Sequence, residues 1–259
     1  MRAPAKLYLA SSNPGKLNEF RALAHATNPS PAHPSNSSAG HPSATSTAHP
    51  SGISAARPAT SSADIPAGSD PTVELAHNFD LDLAPWFLSL PEFEENAPTF
   101  AENALGKALH YSRNHQGFVF ADDSGLVVPA LGGAPGVKSA RYAGPNATSA
   151  ERNAKLLTEL RGKTGPQRSA YFVCAIALVQ EGETVAVVTA RADGQILEAP
   201  QGRGGFGYDP VFYVPELATT FADLSPIEKN THSHRGKAFR RLLALIASQP
   251  QEHPRVQSI

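Results

Sequence analysis

The stretch Phe120-Ala121-Asp122-Asp123-Ser124-Gly125 places two adjacent carboxylates after a short apolar run that predicts a buried strand. Because side chains alternate faces along a strand, Asp122 and Asp123 should point in different directions unless a turn begins between them. A carboxylate at the carboxyl end of such a strand is a candidate Mg²⁺ ligand or general base. A polar turn explains the six residues equally well, since Asp, Ser and Gly are ordinary turn residues.

Composition narrows the class of protein. The chain has 259 residues and a formal net charge of −1, which gives no broad basic surface for nucleic acid. The one cysteine, Cys174, lies in an apolar run, so an intrachain disulfide framework is excluded and a reducing compartment is favoured. No apolar run reaches about 18 residues, and the first residues contain too short an apolar stretch for a signal peptide. We therefore expect a cytoplasmic protein with no membrane span.

The first ordered segment predicts a strand, a turn and a helix. Residues 6–10 form the strand, and the helical pattern continues through about Ala26. Between them lie Ser11, Ser12, Asn13, Pro14, Gly15 and Lys16. Free N–H groups and the helix dipole at such a turn favour an anion, and Lys16 adds a positive charge. The turn lacks the P-loop pattern, and an ordinary strand-to-helix turn explains it about as well.

Residues 28–72 differ in composition from the rest. Pro, Ser and Ala dominate, and so few large apolar residues cannot offset the entropy of ordering. We interpret the segment as a disordered insertion in a single domain that spans residues 1–259, with a frayed tail at 249–259. Within the insertion His-Pro-Ser recurs at His33, His41 and His49, which suggests a low-complexity expansion rather than a metal-binding tract.

The middle of the chain predicts further elements. A strand is expected around Trp86–Leu90, followed by the acidic residues Glu92, Glu94 and Glu95. The spacing of Thr99 and Glu102 is that of a capping box, so a helix should run from there to about Asn114. Residues 168–179 and 184–199 predict a β-hairpin, and therefore an antiparallel portion beside a parallel one.

Two late stretches carry candidate binding residues. Gly202–Pro210 is rich in glycine, which lets a backbone approach a ligand closely, and its Phe206 and Tyr208 either stack on a base or pack as a tight aromatic turn. Ser233 is a candidate N-cap, which puts His234 and Arg235 in the first turn of a helix. Cations are disfavoured there by the helix dipole, so ligand binding is the favoured interpretation.

The order of these stretches resembles a known family. SSNPGK, TFAENA, FADDSG, LGGAPGVKSARYAG, GGFGYDPVF and EKNTHSHRGKA are similar, in sequence order, to the signature blocks of the non-canonical purine nucleoside triphosphate pyrophosphatases. The resemblance covers residues 5–26 and about 87–247. It implies an elongated two-lobed α/β fold with a central mixed sheet and a nucleotide cleft between the lobes. It also implies Mg²⁺-dependent hydrolysis of ITP, dITP or XTP to the monophosphate and pyrophosphate by a homodimer.

The resemblance also implies roles for individual residues. Asp123 matches the catalytic proton acceptor and a metal ligand, and Glu95 matches the second acidic metal residue. Asp122 is left with a supporting role. The residues that match substrate contacts are Ser11, Ser12, Asn13, Pro14, Gly15, Lys16, Ser124, Phe206, Gly207, Tyr208, Asp209, Lys229, His234 and Arg235.

Base selectivity follows from hydrogen-bond chemistry. Donors from Lys229, His234 and Arg235 would pair with the 6-oxo group of hypoxanthine or xanthine and would meet the 6-amino group of adenine donor to donor. Two other functions remain open at this point. One is a pyrophosphatase that acts on modified pyrimidine nucleotides, and the other is a nucleotide-binding regulator without catalysis.

Overall fold

The computed structural model describes residues 5–11, 13–26, 79–113 and 115–248. In this part of the chain seven strands form one sheet in the order β2-β1-β3-β4-β5-β6-β7. β1 is parallel to both β2 and β3, and every other neighbouring pair is antiparallel, so the predicted mixed sheet is confirmed. The strands are β1 (Ala5–Leu9), β2 (Phe79–Leu83), β3 (Phe118–Val127), β4 (Ser169–Gln180), β5 (Glu183–Ile196), β6 (Phe212–Val214) and β7 (Thr219–Thr220).

Helices cover the sheet, and side-chain caps define where several of them begin. Thr148 and Glu151 form a full capping box, as does the pair Ser225 and Glu228, while Thr99 accepts a hydrogen bond from the Glu102 N–H. Glu102 therefore serves as a capping residue, as its spacing predicts. The α-helices of the described residues are α1 (Pro14–Ala26), α2 (Phe100–Ser112), α3 (Ser149–Glu159), α4 (Pro226–His232) and α5 (His234–Ser248).

The stretch Phe120–Gly125 is not a turn. It lies inside β3, which continues to Val127 and pairs with β4 along its whole length. Continuous pairing is favoured because the partner run in β4 is apolar and almost entirely buried, so both strands gain burial by extending together. The alternation of faces that the sequence predicts therefore applies to both carboxylates.

The predicted strand around Trp86–Leu90 is wrong. Phe87–Ser89 forms a short 3₁₀ turn, and the strand of this region is Phe79–Leu83. Pro85 precedes the aromatic pair, and the Trp86 ring N–H donates to the Tyr111 carbonyl at 2.6 Å. The apolar residues of this stretch are thus used to cover α2 instead of entering the sheet.

The core consists of three clusters around the sheet. On one face Phe20 of α1 and Phe239 of α5 pack on β1, β3 and β4. On the other face Ala104, Ala108 and Tyr111 of α2 pack on the same strands. A third cluster, with Leu156 of α3, Phe212 and Phe221, covers the distal halves of β3, β4 and β5. The first two clusters form the core of one lobe, and the third cluster forms the core of the other.

Some predictions lie outside the described residues. They are Ser12, the proposed insertion at 28–72 with its His-Pro-Ser repeat, and the tail at 249–259. Among the described residues no helix combines the length and the apolar character that a membrane crossing needs.

Candidate active site

The unequal lengths of β1 and β3 create the cleft. β1 pairs with β3 only as far as Leu9 and Phe120, whereas β4 accompanies β3 to Val127. Beyond Phe120 the residues of β3 line a cavity of about 730 Å³. This cavity brings together most of the predicted site residues, namely Ser11, Asn13, Lys16, Glu95, Asp123, Ser124, Phe206, Gly207, Tyr208, Asp209, Lys229, His234 and Arg235.

The two adjacent aspartates point to opposite faces of β3. Asp122 lies on the face covered by α1 and α5, where its carboxylate accepts from the Ser124 hydroxyl at 2.7 Å. Asp123 lies on the face covered by α2, where it accepts from the Asn103 side-chain amide at 3.0 Å. One strand thus supplies carboxylates to two different environments.

Asp122 lies in a buried cluster of charges. Its carboxylate is 3.0 Å from Lys16 Nζ and 3.7 Å from Arg235 Nε. Burial alone would raise the pKa of Asp122, but the adjacent positive charges of Lys16 and Arg235 outweigh burial and lower this pKa to about 2. Asp122 therefore stays ionised and holds Lys16 at the edge of the cavity.

Asp123 has the opposite electrostatic behaviour. Burial, together with the negative charge of Glu95, raises the pKa of Asp123 to about 6 despite the opposing charge of Lys16. Asp123 is therefore a stronger base than an ordinary aspartate and is still largely ionised at neutral pH. A carboxylate with these properties can accept a proton from water.

Glu95 reaches the same cavity from a loop. Its carboxylate is 2.7 Å from Lys107 Nζ, and its backbone carbonyl accepts from the Arg141 guanidinium at 2.7 Å. Since Glu95 raises the pKa of Asp123, the two carboxylates are close enough to interact. Carboxylate oxygens are the protein ligands that Mg²⁺ prefers, so two carboxylates that line one cavity are candidates to hold this ion.

The turn at residues 11–16, called the phosphate turn below because its sequence predicts an anion site, differs from its prediction in one respect. Asn13 caps α1 by accepting from the N–H groups of Gly15 at 3.0 Å and Lys16 at 3.3 Å, and the Leu17 N–H donates to the Asn13 carbonyl. Pro14 has no N–H. The free helix donors that the sequence suggested are therefore satisfied within the turn. What the turn presents to the cavity is Lys16 with the side chains of Ser11 and Asn13.

The glycine-rich loop packs its aromatic residues in two ways. Tyr208 is buried, and its hydroxyl donates to the Ser139 carbonyl at 2.9 Å, so it serves mainly to fix the loop. Phe206 is partly exposed and lies against Gly15, where an added Cβ would come within 2.9 Å of the ring. Asp209 accepts from the Phe206 N–H at 2.7 Å and from Lys229 Nζ at 2.6 Å. The loop therefore holds Phe206 between the phosphate turn and the cations of α4 and α5.

The cations at this end of the cavity are paired. Lys229 Nζ lies 4.6 Å from the centre of the Phe206 ring, and the Arg235 guanidinium lies 5.4 Å from it. Glu19 of α1 binds both cations, one with each carboxylate oxygen. Burial alone would raise the pKa of Glu19, but Arg235 and Lys229 outweigh burial and lower it. The ion pairs with Glu19 thus hold Lys229 and Arg235 in fixed positions.

His234 is neutral, which corrects its description as a cation. Its ring stacks on Phe172 at a centroid separation of 4.7 Å and an angle of 9°. Burial first, and then the positive charge of Arg235, lower its pKa well below the usual value. Its Nδ1 is buried without a hydrogen-bond partner, so this nitrogen has capacity for a ligand.

The sequence did not predict three residues that contact the candidate site, namely Glu19, Asn103 and Lys107. Each lies on a helix and contacts a predicted site residue, as described above for Glu19 and Lys107. The signal was present in α2, where Asn103 and Lys107 are four residues apart and adjoin the buried Ala104 and Ala108. Polar residues beside buried alanines at helical spacing indicate a helix face directed at a polar site.

The fold and the site together define an α/β protein whose cleft combines paired carboxylates, a lysine-bearing turn and an aromatic pocket with fixed cations. The model of the Ham1 family matches residues 71–245, more than half of the chain. A dITP/XTP pyrophosphatase of Geobacillus kaustophilus is 56% identical over 156 residues, which is 60% of this chain and 76% of the relative. Another, of Coxiella burnetii, is 44% identical over 176 residues, with 67% of this chain and 88% of the relative covered.

Solved structures agree with the sequence matches. A HAM1 protein from Coxiella burnetii superposes with a TM-score of 0.67 at 34% identity, covering 95% of this chain and all of its own. The Ham1 protein of Staphylococcus aureus gives a TM-score of 0.66 at 30% identity, covering 93% of this chain and 98% of its own. The chain belongs to the Ham1 family, which confirms the resemblance noted in its sequence blocks.

Proposed function

We propose that this protein hydrolyses non-canonical purine nucleoside triphosphates, namely dITP, ITP and XTP, to the monophosphate and pyrophosphate. The observation that carries the proposal is that one cavity is lined by the carboxylates of Asp123 and Glu95, by Lys16 and by the aromatic ring of Phe206. The names of the relatives, dITP/XTP pyrophosphatases, support the same reaction and substrate class.

The triphosphate would bind beside the phosphate turn. Lys16 lies at the cavity edge, where Asp122 holds it, and Ser11 and Asn13 line the same wall. Because the helix N–H groups are used by Asn13, phosphate recognition relies on side chains at this turn. The ion pair with Asp122 therefore keeps Lys16 in position before substrate arrives.

Glu95 and Asp123 fit a magnesium site. Mg²⁺ prefers one or two protein carboxylates together with phosphate oxygens and water, and both of these carboxylates line the cavity in which the triphosphate would lie. When bound, the ion would offset the negative charge of the triphosphate and of the leaving pyrophosphate.

Asp123 would take the proton of the attacking water. The water oxygen forms a bond to the α-phosphorus, the bond from this phosphorus to the pyrophosphate oxygen breaks, and the proton passes to the Asp123 carboxylate. No covalent enzyme intermediate is needed. Cys174 is unsuited to form one, since it is fully buried and burial raises its pKa to about 12.

The base would occupy the pocket formed by the glycine-rich loop with α4 and α5. Phe206 supplies an aromatic face, and stacking on such a face contributes about 1–3 kcal/mol. Lys229 and Arg235 supply fixed donors for a 6-oxo group, and adenine would present its own donor there. The neutral His234 contributes through its unpaired nitrogen instead of through a charge. Ser124, Gly207, Tyr208 and Asp209 complete the proposed contacts.

A pyrophosphate-release assay tests the proposal. With Mg²⁺ present we expect release from dITP, ITP and XTP and much slower release from ATP, whose 6-amino group meets the donors of the pocket, with little release when Mg²⁺ is removed. Asp123→Asn removes the proton acceptor but keeps its shape, so turnover should fall by about 10²–10⁴-fold while nucleotide still binds. Absence of release from every purine triphosphate would reject the function, and modified pyrimidine triphosphates in the same assay cover the alternative substrate class.

Two further proposals come from the sequence resemblance and composition. We propose a homodimer and a cytoplasmic location, with no nucleic acid among the partners. Light scattering of the purified protein at several concentrations tests the dimer, because a mass of one chain at all concentrations contradicts it.

A further inference from the structure

We propose that Asn103 is a positioning residue that fixes Asp123 and the loop carrying Glu95 in one arrangement suited to a divalent cation. The inference deepens the proposed function and rests on it. It concerns a residue of α2 that is absent from the cavity lining and that acts through the Asp123 carboxylate and the backbone of the loop.

The Asn103 side chain joins two elements. It is fully buried, its Nδ2 donates to Asp123 Oδ2 at 3.0 Å, and its Oδ1 accepts from the Ala97 N–H at 2.8 Å. A longer contact of 3.4 Å runs from Nδ2 to the Ala97 carbonyl. The amide therefore binds the strand carboxylate with one atom and the Glu95 loop with both.

The loop is held at every second residue. Ala97 is bound by Asn103, Glu95 is bound by Lys107 at 2.7 Å, and the Phe93 N–H donates to the Tyr111 hydroxyl at 3.2 Å. The Phe93 ring also lies on Gly106, where an added Cβ would come within 2.6 Å of it. Successive turns of α2 thus bind successive alternate residues of an extended segment.

Only one of these contacts reaches Asp123. Lys107 binds Glu95 and could hold the loop against α2 alone. It makes no hydrogen bond to Asp123, so it does not fix the distance between the loop and Asp123. Asn103 connects the Asp123 carboxylate to the backbone of the loop at Ala97, two residues after Glu95. A side-chain amide suits this position because it donates to Asp123 and accepts from the Ala97 N–H at the same time. Hydrogen-bond partners of metal-ligating carboxylates typically change metal affinity or activity by 10–100-fold when mutated.

A plain structural role for Asn103 predicts a different result, and Ser112 provides the control. Ser112 lies on the same helix, is also buried, and its hydroxyl donates to the Leu109 carbonyl at 3.0 Å without contacting either carboxylate. Ser112→Ala therefore removes a buried hydrogen bond from α2 and leaves the site alone. Each variant is measured by thermal unfolding, by Mn²⁺ titration without nucleotide using electron paramagnetic resonance, and by kcat and KM for dITP over graded Mg²⁺.

For Asn103→Ala we expect Mn²⁺ affinity and kcat to fall by about 10–100-fold, with the KM for dITP within about threefold of wild type. Asn103→Ser can keep one of the two hydrogen bonds, to Asp123 or to Ala97. Its Mn²⁺ affinity and kcat should therefore lie between those of wild type and Asn103→Ala. Ser112→Ala should lose thermal stability but keep Mn²⁺ affinity and kcat. Wild-type Mn²⁺ affinity and kcat in Asn103→Ala, or failure of both Asn103 variants to fold while Ser112→Ala folds, would overturn the proposal.

The proposed function and this inference fail in different ways. If the wild-type protein releases no pyrophosphate from any nucleotide, the proposed function is rejected, and the Mn²⁺ titration still reports whether Asn103 supports the carboxylates. If the wild type is active and the Asn103 variants match it, only the inference is rejected.

Discussion

Asp122 and Asp123 are neighbours of one residue type with pKa values shifted in opposite directions. Burial would raise both values, but Lys16 and Arg235 lower the pKa of Asp122 to about 2, whereas Glu95 adds to burial and raises that of Asp123 to about 6. Strand alternation causes the difference, because it sends one side chain among cations and the other towards a carboxylate. One residue is left to hold a charge cluster together and the other to exchange a proton.

The charge cluster of Asp122 gives the first prediction. Asp122→Asn keeps the shape of the side chain but leaves Lys16 and Arg235 with less compensating charge in a buried position. Breaking a buried ion pair in this way costs about 3–5 kcal/mol, so the free energy of unfolding should fall by that amount in urea denaturation.

The matched control is Asp193→Asn, which removes one partner of an exposed pair with Arg191 whose side chains are 61% and 65% accessible. Such a surface pair contributes about 0–1 kcal/mol, so this variant should unfold close to wild type. Equal stability of the two variants would contradict the role assigned to the Asp122 cluster.

Single residues were predicted unevenly, for a physical reason. Asp123, Lys16 and Arg235 lie in motifs where sequence neighbours alone suggest a site, and the structure brings them to one cavity. Asn103 and Glu19 lie in helices, where a polar residue is usually exposed and its direction depends on tertiary packing. Sequence periodicity predicts which residues share a face, but not what that face contacts.

Elements were predicted best where a local rule decides their limits. Thr99 is the N-cap of α2, as its spacing from Glu102 predicts, and the strand predicted in 184–199 is β5. The extension of β3 to Val127 could not be predicted, because it depends on pairing with β4 about fifty residues later. The strand predicted after Pro85 was wrong for a similar reason, because the structure of this segment depends on contacts of its aromatic residues with α2.

The buried start of α5 gives a prediction on pH. His234 is neutral in the folded protein because burial lowers its pKa, as do the positive charges of Arg235, Lys229, Lys16 and Lys237. In the unfolded chain the imidazole has its ordinary pKa of about 6.5. Below this pH the unfolded state binds a proton that the folded state does not, so stability is complete above about pH 6.5 and falls as the pH falls.

His234→Gln should reduce this pH dependence. Between about pH 6 and pH 5 the wild-type free energy of unfolding should fall more steeply than that of the variant, by about 1 kcal/mol per pH unit. The comparison with the variant is needed because Asp123, whose pKa is raised to about 6, increases the free energy of unfolding as the pH falls through the same range. Identical slopes for His234→Gln and wild type would contradict a lowered pKa of His234 in the folded protein.

At the scale of the whole molecule, one sheet supports both lobes and the cleft. The clusters around Phe20 and Phe239 on one face and Tyr111 on the other share strands with the distal cluster around Phe212. The site lies where β1 ends and β3 continues, so both lobes contribute residues to it. The fold class could be predicted because the sequence blocks resemble a known family, which implies it, whereas the cleft depends on the unequal strand lengths.

The last prediction concerns residues 28–72, which lie between α1 and β2 outside the described part of the chain. β1 and β2 are parallel neighbours, so α1 returns along the sheet and its end at Ala26 lies towards the start of β2 at Phe79. Connections at such positions usually need only about 2–6 residues. Deletion of 28–72 leaves residue 27 and residues 73–78, which can extend to about 25 Å. We therefore expect the deletion variant to fold and to hydrolyse dITP with kcat and KM within about threefold of wild type, as measured by pyrophosphate release and circular dichroism. A folded variant without turnover would show that the segment serves the active site, and a variant that does not fold would show that it belongs to the domain.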